Sequence, residues 1–198
     1  MILNENDNQA INLAVKSIKS GNLIIFPTDT IYGIAADAND DLAVKKIYDL
    51  KERNSNKPIA IFLKNISEIE KYFQLNDLEK KIIKKYIPGA ITIILKPKEN
   101  RFSKLLNQND ETLAVRIANH EFCLDLLDKF DGAIAVSSSN ISGEKEISNI
   151  NLLEKKFSDK IDLIIEGKIN KSQTASTIVK VENDEIKILR QGLTKIKI

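Results

Sequence analysis

Residues 21–33 read GNLIIFPTDTIYG. Leu23 to Phe26 is a short, continuously apolar run closed by Pro27, the pattern of a buried strand whose backbone pairing stops at the proline. Upstream, from Gln9 to Ser20, the apolar residues Ile11, Leu13, Ala14 and Ile18 recur at helical spacing, and Gly21 stands where a helix C-terminus needs a residue tolerant of positive φ. Thr28, Asp29 and Thr30 then follow the strand. Pro, Asp and Thr are ordinary turn chemistry, but hydroxyls and an acid at the carboxyl end of a buried strand also project where open α/β sheets bind ligands.

Working outward, Asp40 or Asp41 caps a helix whose stripe of Leu42, Ala43, Ile47 and Leu50 runs to Lys51 and Arg53. Ile59 to Leu63 reads as a strand. Ser67 and Asp77 are capping candidates for two helices ending near Phe73 and Tyr86, the second broken by Pro88 and Gly89. Ile91 to Leu95, Leu113 to Ile117 and Ile134 to Val136 are further strands, with a helix from Glu121 to Phe130 between the last two. Ile161 to Ile165, Thr177 to Val181 and Ile186 to Leu189 complete the strands, the final pair turned at Asn183 and Asp184. Strands interleaved with helices, with a β-rich end, predict one α/β domain over residues 1–198 with a mixed sheet.

Composition excludes several classes. The 198 residues suit a single core, and the charge of +2, from 30 Lys and Arg against 28 Asp and Glu, gives no global field for a polyanion. One cysteine, Cys123, permits neither an internal disulfide nor a thiolate metal cluster. Neither a signal peptide nor a long apolar span is present, so no membrane association is expected and the cytoplasm is the default location. Two basic clusters remain, Lys45, Lys46, Lys51, Arg53 and Lys57, and Lys80, Lys81, Lys84 and Lys85. They leave weak tRNA contact open, although charge runs on helices are usually solvated faces.

Gly167-Lys168 is followed by Ile169 and does not complete a P-loop, and no G-x-G-x-x-G opens a helix. The lone His120 excludes paired-His zinc motifs and removes most triads. Lys51 and Arg53 suit a helix dipole or a phosphate equally. Ser137 to Gly143 reads as a helix cap or an anion-binding turn. Arg116, inside an alternating strand, requires an acidic partner or an anionic ligand, and Arg190 poses the same question unless its strand is an exposed edge.

FPTDTIYGIAAD, LKERNSNKP, PGAIT, LAVRIANHE, VSSSNISG, ASTIV and ILRQG, in this order and spacing, resemble the YrdC/TsaC family of threonylcarbamoyl-AMP synthases. The resemblance covers almost the whole chain. It implies a YrdC/RibB-like twisted open mixed sheet with flanking helices, and in a chain ending soon after Arg190 the short single-domain form. It also implies synthesis of L-threonylcarbamoyladenylate from L-threonine, bicarbonate or CO2, and ATP, for the N6-threonylcarbamoyladenosine of tRNA, with a tRNA-modifying threonylcarbamoyl transferase complex as partner. By position, Thr30, Arg116, Val136 and Ser176 resemble the threonine-binding residues. Lys51, Arg53, Lys57, Thr112, Ser138, Asn140 and Arg190 resemble the ATP-binding set, with Lys51 and Arg53 stabilising phosphate charge. Mg2+ is expected on the triphosphate, held by phosphate and water with no protein-only metal site. Asn54, Ala90, Glu121 and Gln191 replace prolines common in the family, and Phe62 stands where some longer relatives carry a threonine-contacting histidine. The competing expectations are a non-catalytic RNA-binding module using the basic clusters and a carbamoyl-adenylate module similar to that of hydrogenase maturation proteins.

Overall fold

The computed structural model describes residues 1–106, 111–157, 159–172 and 174–197. Among them, one sheet runs in the order β1 (Ile2–Asn4), β9 (Leu163–Glu166), β2 (Ile24–Phe26), β3 (Gly33–Asp37), β8 (Ile134–Ser138), β4 (Ala60–Phe62), β7 (Leu113–Arg116), β6 (Ile91–Pro97), β10 (Thr177–Glu182) and β11 (Glu185–Arg190), and β5 (Phe73–Gln74) pairs with the end of β6. Parallel pairs such as β2 with β9 and β6 with β10 alternate with antiparallel ones such as β2 with β3 and β6 with β7, so the sheet is mixed as expected. Six helices flank it: α1 (Ala10–Lys19), α2 (Asp41–Leu50), α3 (Ile66–Tyr72), α4 (Asp77–Tyr86), α5 (Glu121–Phe130) and α6 (Ile150–Phe157). No helix among the described residues is long and apolar enough to cross a membrane.

The apolar run after Gly21 is buried on both sides. Ile25 belongs to the apolar cluster that includes residues of α2, α3, α4 and α6, whereas Ile24 and Phe26 belong to the one that includes residues of α1 and α5. Alternation of side chains across each strand sorts the rest of the sheet in the same way. Ile61, Ile93, Val115 and Val179 join the four-helix side, and Ile134, Val136 and Phe62 join the two-helix side. The α1 and α5 layer reaches only as far as Val136 and Phe62. Beyond them the same face of β4, β7, β6 and β10 is left to loops, and there a cavity lies.

Local signals set the ends of these elements. Gly21 takes φ +71° after α1, and Asp40 caps α2 by accepting from the backbone N–H groups of Leu42 and Ala43. Asn183 and Asp184 both take positive φ in the β10–β11 hairpin, as a tight primed turn requires. The caps of α3 and α4 fall one or two residues earlier than expected. Asn65, not Ser67, accepts from Glu68 N at 3.0 Å, and Asn76, not Asp77, forms a reciprocal capping box with Glu79. Four elements were not read from the sequence: β1, β3, β5 and α6, the last although Ile150, Leu153 and Phe157 recur at helical spacing after Asn149. Asn65→Ala should therefore cost about 1 kcal/mol, whereas Ser67→Ala, at an exposed position inside α3, should stay within about 0.5 kcal/mol; urea denaturation of both variants checks the assignment.

Candidate active site

The segment Pro27–Tyr32 is the connection between antiparallel neighbours β2 and β3. Thr28 holds it in shape: its hydroxyl donates to Ile31 O at 2.6 Å and accepts from Thr30 N and Ile31 N. This turns Thr30 toward the cavity and Asp29 toward β7. Arg116, at the end of β7, donates from Nη2 to Asp29 Oδ1 and to Thr30 Oγ1 at 3.0 Å, and from Nε to Gly89 O at 3.3 Å. Its guanidinium also lies 5.2 Å from the Phe62 ring centroid, within cation–π range. Burial pulls the Arg116 pKa down and the Asp29 charge pulls it back up; an arginine remains protonated across this range. Nη1 makes none of these bonds and is the donor left for a ligand.

A second group closes the far side. Ser176, just before β10, shares a hydrogen bond of 2.8 Å with Thr92 of β6. Arg190, at the end of β11, donates from Nε and Nη2 to Ser176 O and from Nη2 to Ser176 Oγ. Burial lowers the Arg190 pKa, and the charges of Arg116 and Arg53 lower it further. Arg190, Arg116 and Arg53 border the same cavity.

The third group begins where α2 ends. Glu52 takes φ +49°, and this reversal sends Lys51 and Arg53 in different directions. Arg53 reaches the cavity wall, oriented by Lys57 O at 3.1 Å and Pro58 O at 2.8 Å. Lys51 is fully buried instead, and its Nζ donates to Ser138 O, Asn140 O and Asn140 Oδ1. Burial, then the Arg53 charge, pushes Lys51 down to about 7, while Glu146 opposes them. Three acceptor oxygens around one nitrogen nevertheless need three N–H donors, which only the ammonium supplies.

Thr30, Arg53, Phe62, Arg116, Val136, Ser138, Ser176 and Arg190 thus line one cavity of about 250 Å³. Among the described residues its wall carries three arginines and no carboxylate. Lys51 and Asn140 lie behind the wall. The Lys57 side chain is exposed, and Thr112 borders a separate hollow with Pro97, Phe102 and Leu113. Thr28 and Asp29, candidates at the strand end in the sequence, support Thr30 and Arg116, whereas Thr92 is a site residue for which the sequence carried no signal. The basic cluster from Lys45 to Lys57 does not form one surface, since Lys51 is buried, Arg53 faces the cavity and Lys45 pairs with Asp49 at 2.7 Å.

A cationic cavity on the helix-free part of one face of a mixed sheet defines an α/β protein suited to an anionic ligand. The Sua5/YciO/YrdC family model, described as telomere recombination, matches residues 16–192, and the chain belongs to that family. A putative threonylcarbamoyl-AMP synthase of Methanocaldococcus jannaschii is 35% identical over 98% of this chain and 92% of that protein. The threonylcarbamoyl-AMP synthase of Pyrococcus abyssi is 31% identical over 92% of this chain, which spans 54% of the relative's length. Among solved structures, P. abyssi Sua5 complexed with L-threonine superimposes with a TM-score of 0.89 at 29% identity, covering 97% of this chain and 57% of that one. E. coli YciO shares the fold at a TM-score of 0.89 and 22% identity, covering 100% of this chain and 96% of that one.

Asp29→Ala should leave the Arg116 charge buried without its counterion and cost about 3 to 5 kcal/mol, read as a lowered urea midpoint.

Proposed function

We propose that this chain is a threonylcarbamoyl-AMP synthase, a nucleotidyltransferase that condenses L-threonine, bicarbonate or CO2, and ATP to L-threonylcarbamoyladenylate and pyrophosphate. The observation that carries the proposal is the convergence of Arg53, Arg116 and Arg190 on one hydroxyl-lined cavity without a carboxylate in its wall. The threonine carboxylate, bicarbonate and ATP all bear negative charge, so binding them together is the principal physical problem. The synthase activity for which the relatives are named, and the threonine held by P. abyssi Sua5, support the same reading.

Threonine's carboxylate pairs with Arg116 through Nη1, the nitrogen that Asp29, Thr30 and Gly89 leave unused. Thr30, Ser176 and the Val136 backbone take its other polar groups. The neutral amine adds to CO2, loses a proton and becomes a carbamate. A carbamate oxygen then attacks the α-phosphorus of ATP, and the bond to the bridging oxygen breaks as pyrophosphate leaves. The chain needs no nucleophile of its own, and its contribution is positioning and charge stabilisation. Arg53 and Arg190 face the phosphates and Ser138 orients the nucleotide. Lys57 and Thr112, outside the cavity, serve the part of ATP that extends beyond it. Mg2+ arrives with ATP on phosphate oxygens and water, because the wall offers no carboxylate to hold it.

The adenylate is consumed by a threonylcarbamoyl transferase complex acting on tRNA, and the cytoplasm is where ATP, threonine and tRNA meet. The dispersal of the Lys45 to Lys57 cluster disfavours a non-catalytic RNA-binding module. Purified protein incubated with ATP, bicarbonate and each amino acid in turn should yield, by mass spectrometry, an adenylate only with threonine; RNA binding without any adenylate would sink the reading. Arg53→Ala and Arg116→Lys should each lower threonine-dependent pyrophosphate release, on the order of 100-fold for loss of a donor at developing charge.

A further inference from the structure

Lys51 is a buried cation whose chemistry is entirely internal. All three of its ammonium donors are engaged by the segment after β8: Ser138 O, Asn140 O at 2.6 Å and Asn140 Oδ1 at 2.9 Å. Its own carbonyl accepts from Ser142 N at 2.9 Å, so one residue is tied to the turn at both its ends. An ammonium has three donors and no more, and none remains for a phosphate.

Other hydrogen bonds also hold the turn, from Asn140 N to Ser138 O at 3.0 Å, Ser139 N to Tyr32 O at 3.1 Å and Ser139 Oγ to Ile147 O at 3.3 Å, but none of them reaches Asn140 O. Asn140 Oδ1 also accepts from Ser138 Oγ at 2.6 Å, and Asn140 Nδ2 donates to Glu144 O at 2.7 Å, which uses both ends of the amide. Remove the cation and Asn140 O loses its donor in a buried space, while Ser138 O keeps Asn140 N at 3.0 Å and Asn140 Oδ1 keeps Ser138 Oγ. A buried acceptor left without a donor carries its full desolvation cost, which favours rearrangement of the turn. The wall of the cavity would move with the turn, because Ser138 lines it and Ser137 lies beside it.

We infer that Lys51 is a positioning residue: it moulds the turn Ser138–Ser142 around its ammonium and so presents Ser138 to the nucleotide, acting through the turn without touching phosphate. Only the identity of the ligand rests on the synthase reading. Arg53, two residues on and facing the cavity, is left as the cation of the pair that meets the ligand.

The test compares wild type with Lys51→Met, which keeps the aliphatic stem, and Lys51→Gln, which keeps two of the donors. Hydrogen exchange of the ligand-free proteins is measured first, then the affinity for ATP alone and for threonine alone. In Lys51→Met the amides of Ser139, Asn140 and Ser142 should exchange at least about ten-fold faster, those of β7 should be unchanged, and Lys51→Gln should fall between. ATP affinity should drop at least about ten-fold while threonine affinity changes less than about two-fold. If Lys51→Met does not fold, Lys51→Gln carries the same comparison. Unaltered exchange at 139–142 with weakened ATP binding would make Lys51 a phosphate ligand and overturn the inference. Faster exchange across the whole sheet would reduce it to general stability and overturn it equally. A wild type that binds neither ATP nor threonine would sink the synthase reading, yet the exchange data would still decide the role of Lys51.

Discussion

The ion pair between Arg116 and Asp29 is the contact around which the candidate site is organised. A guanidinium on a central strand, 5% exposed, is costly unless its charge and its N–H groups are met. Asp29 meets the charge, Thr30 and Gly89 take further donors, and Phe62 offers a ring face. These partners come from three segments, Asp29 and Thr30 sharing one. The demand of one buried charge therefore fixes the β2–β3 connection, the approach to β6 and the floor formed by β4 relative to one another. Because Asp29 approaches from behind, the wall seen by a ligand stays cationic although the charge beneath it is balanced.

Where the cavity lies follows from how the sheet is covered. Four helices pack one face, whereas α1 and α5 reach only to Val136 and Phe62 on the other. Those two side chains belong both to the apolar layer and to the cavity wall. Past them, alternation along the strands presents Ala60, Ala114 and Thr92 to open space, small enough to leave a hollow, with Arg116 as the one large residue of β7 on that face. Loops from three regions complete the enclosure.

Much of this was legible in the sequence, and what was missed has physical reasons. Ile24 to Phe26 was readable because burial on both faces demands a continuous apolar run. Gly33 to Asp37 was not, since glycine and two alanines carry little β signal; pairing with β2 and β8 on either side makes it a strand. β1 likewise exists through its parallel register with β9. Arg116 announced its need for a partner, but which acid would answer depended on long-range packing. Lys51 and Arg53 looked alike as letters, and only the fold separates an internal cation from one on the cavity wall. Two of the missing prolines are explained locally: Glu121 begins α5, a position open to helix formers as well as proline, and Gln191 ties the following chain by donating to Gly192 O and Thr194 O.

The left-handed backbone at Glu52 gives the Lys-x-Arg spacing its meaning. Continued as helix, residues two apart would point to nearly opposite sides of one cylinder and share no neighbourhood. A single residue of reversed hand lets adjoining cations serve two compartments, one facing main-chain oxygens in the interior and one facing the ligand. The middle letter of the motif is then a requirement on chirality and not on side-chain chemistry: glycine satisfies it freely, and a β-branched residue meets it only with strain. Two positive charges close in sequence are kept apart by torsion alone.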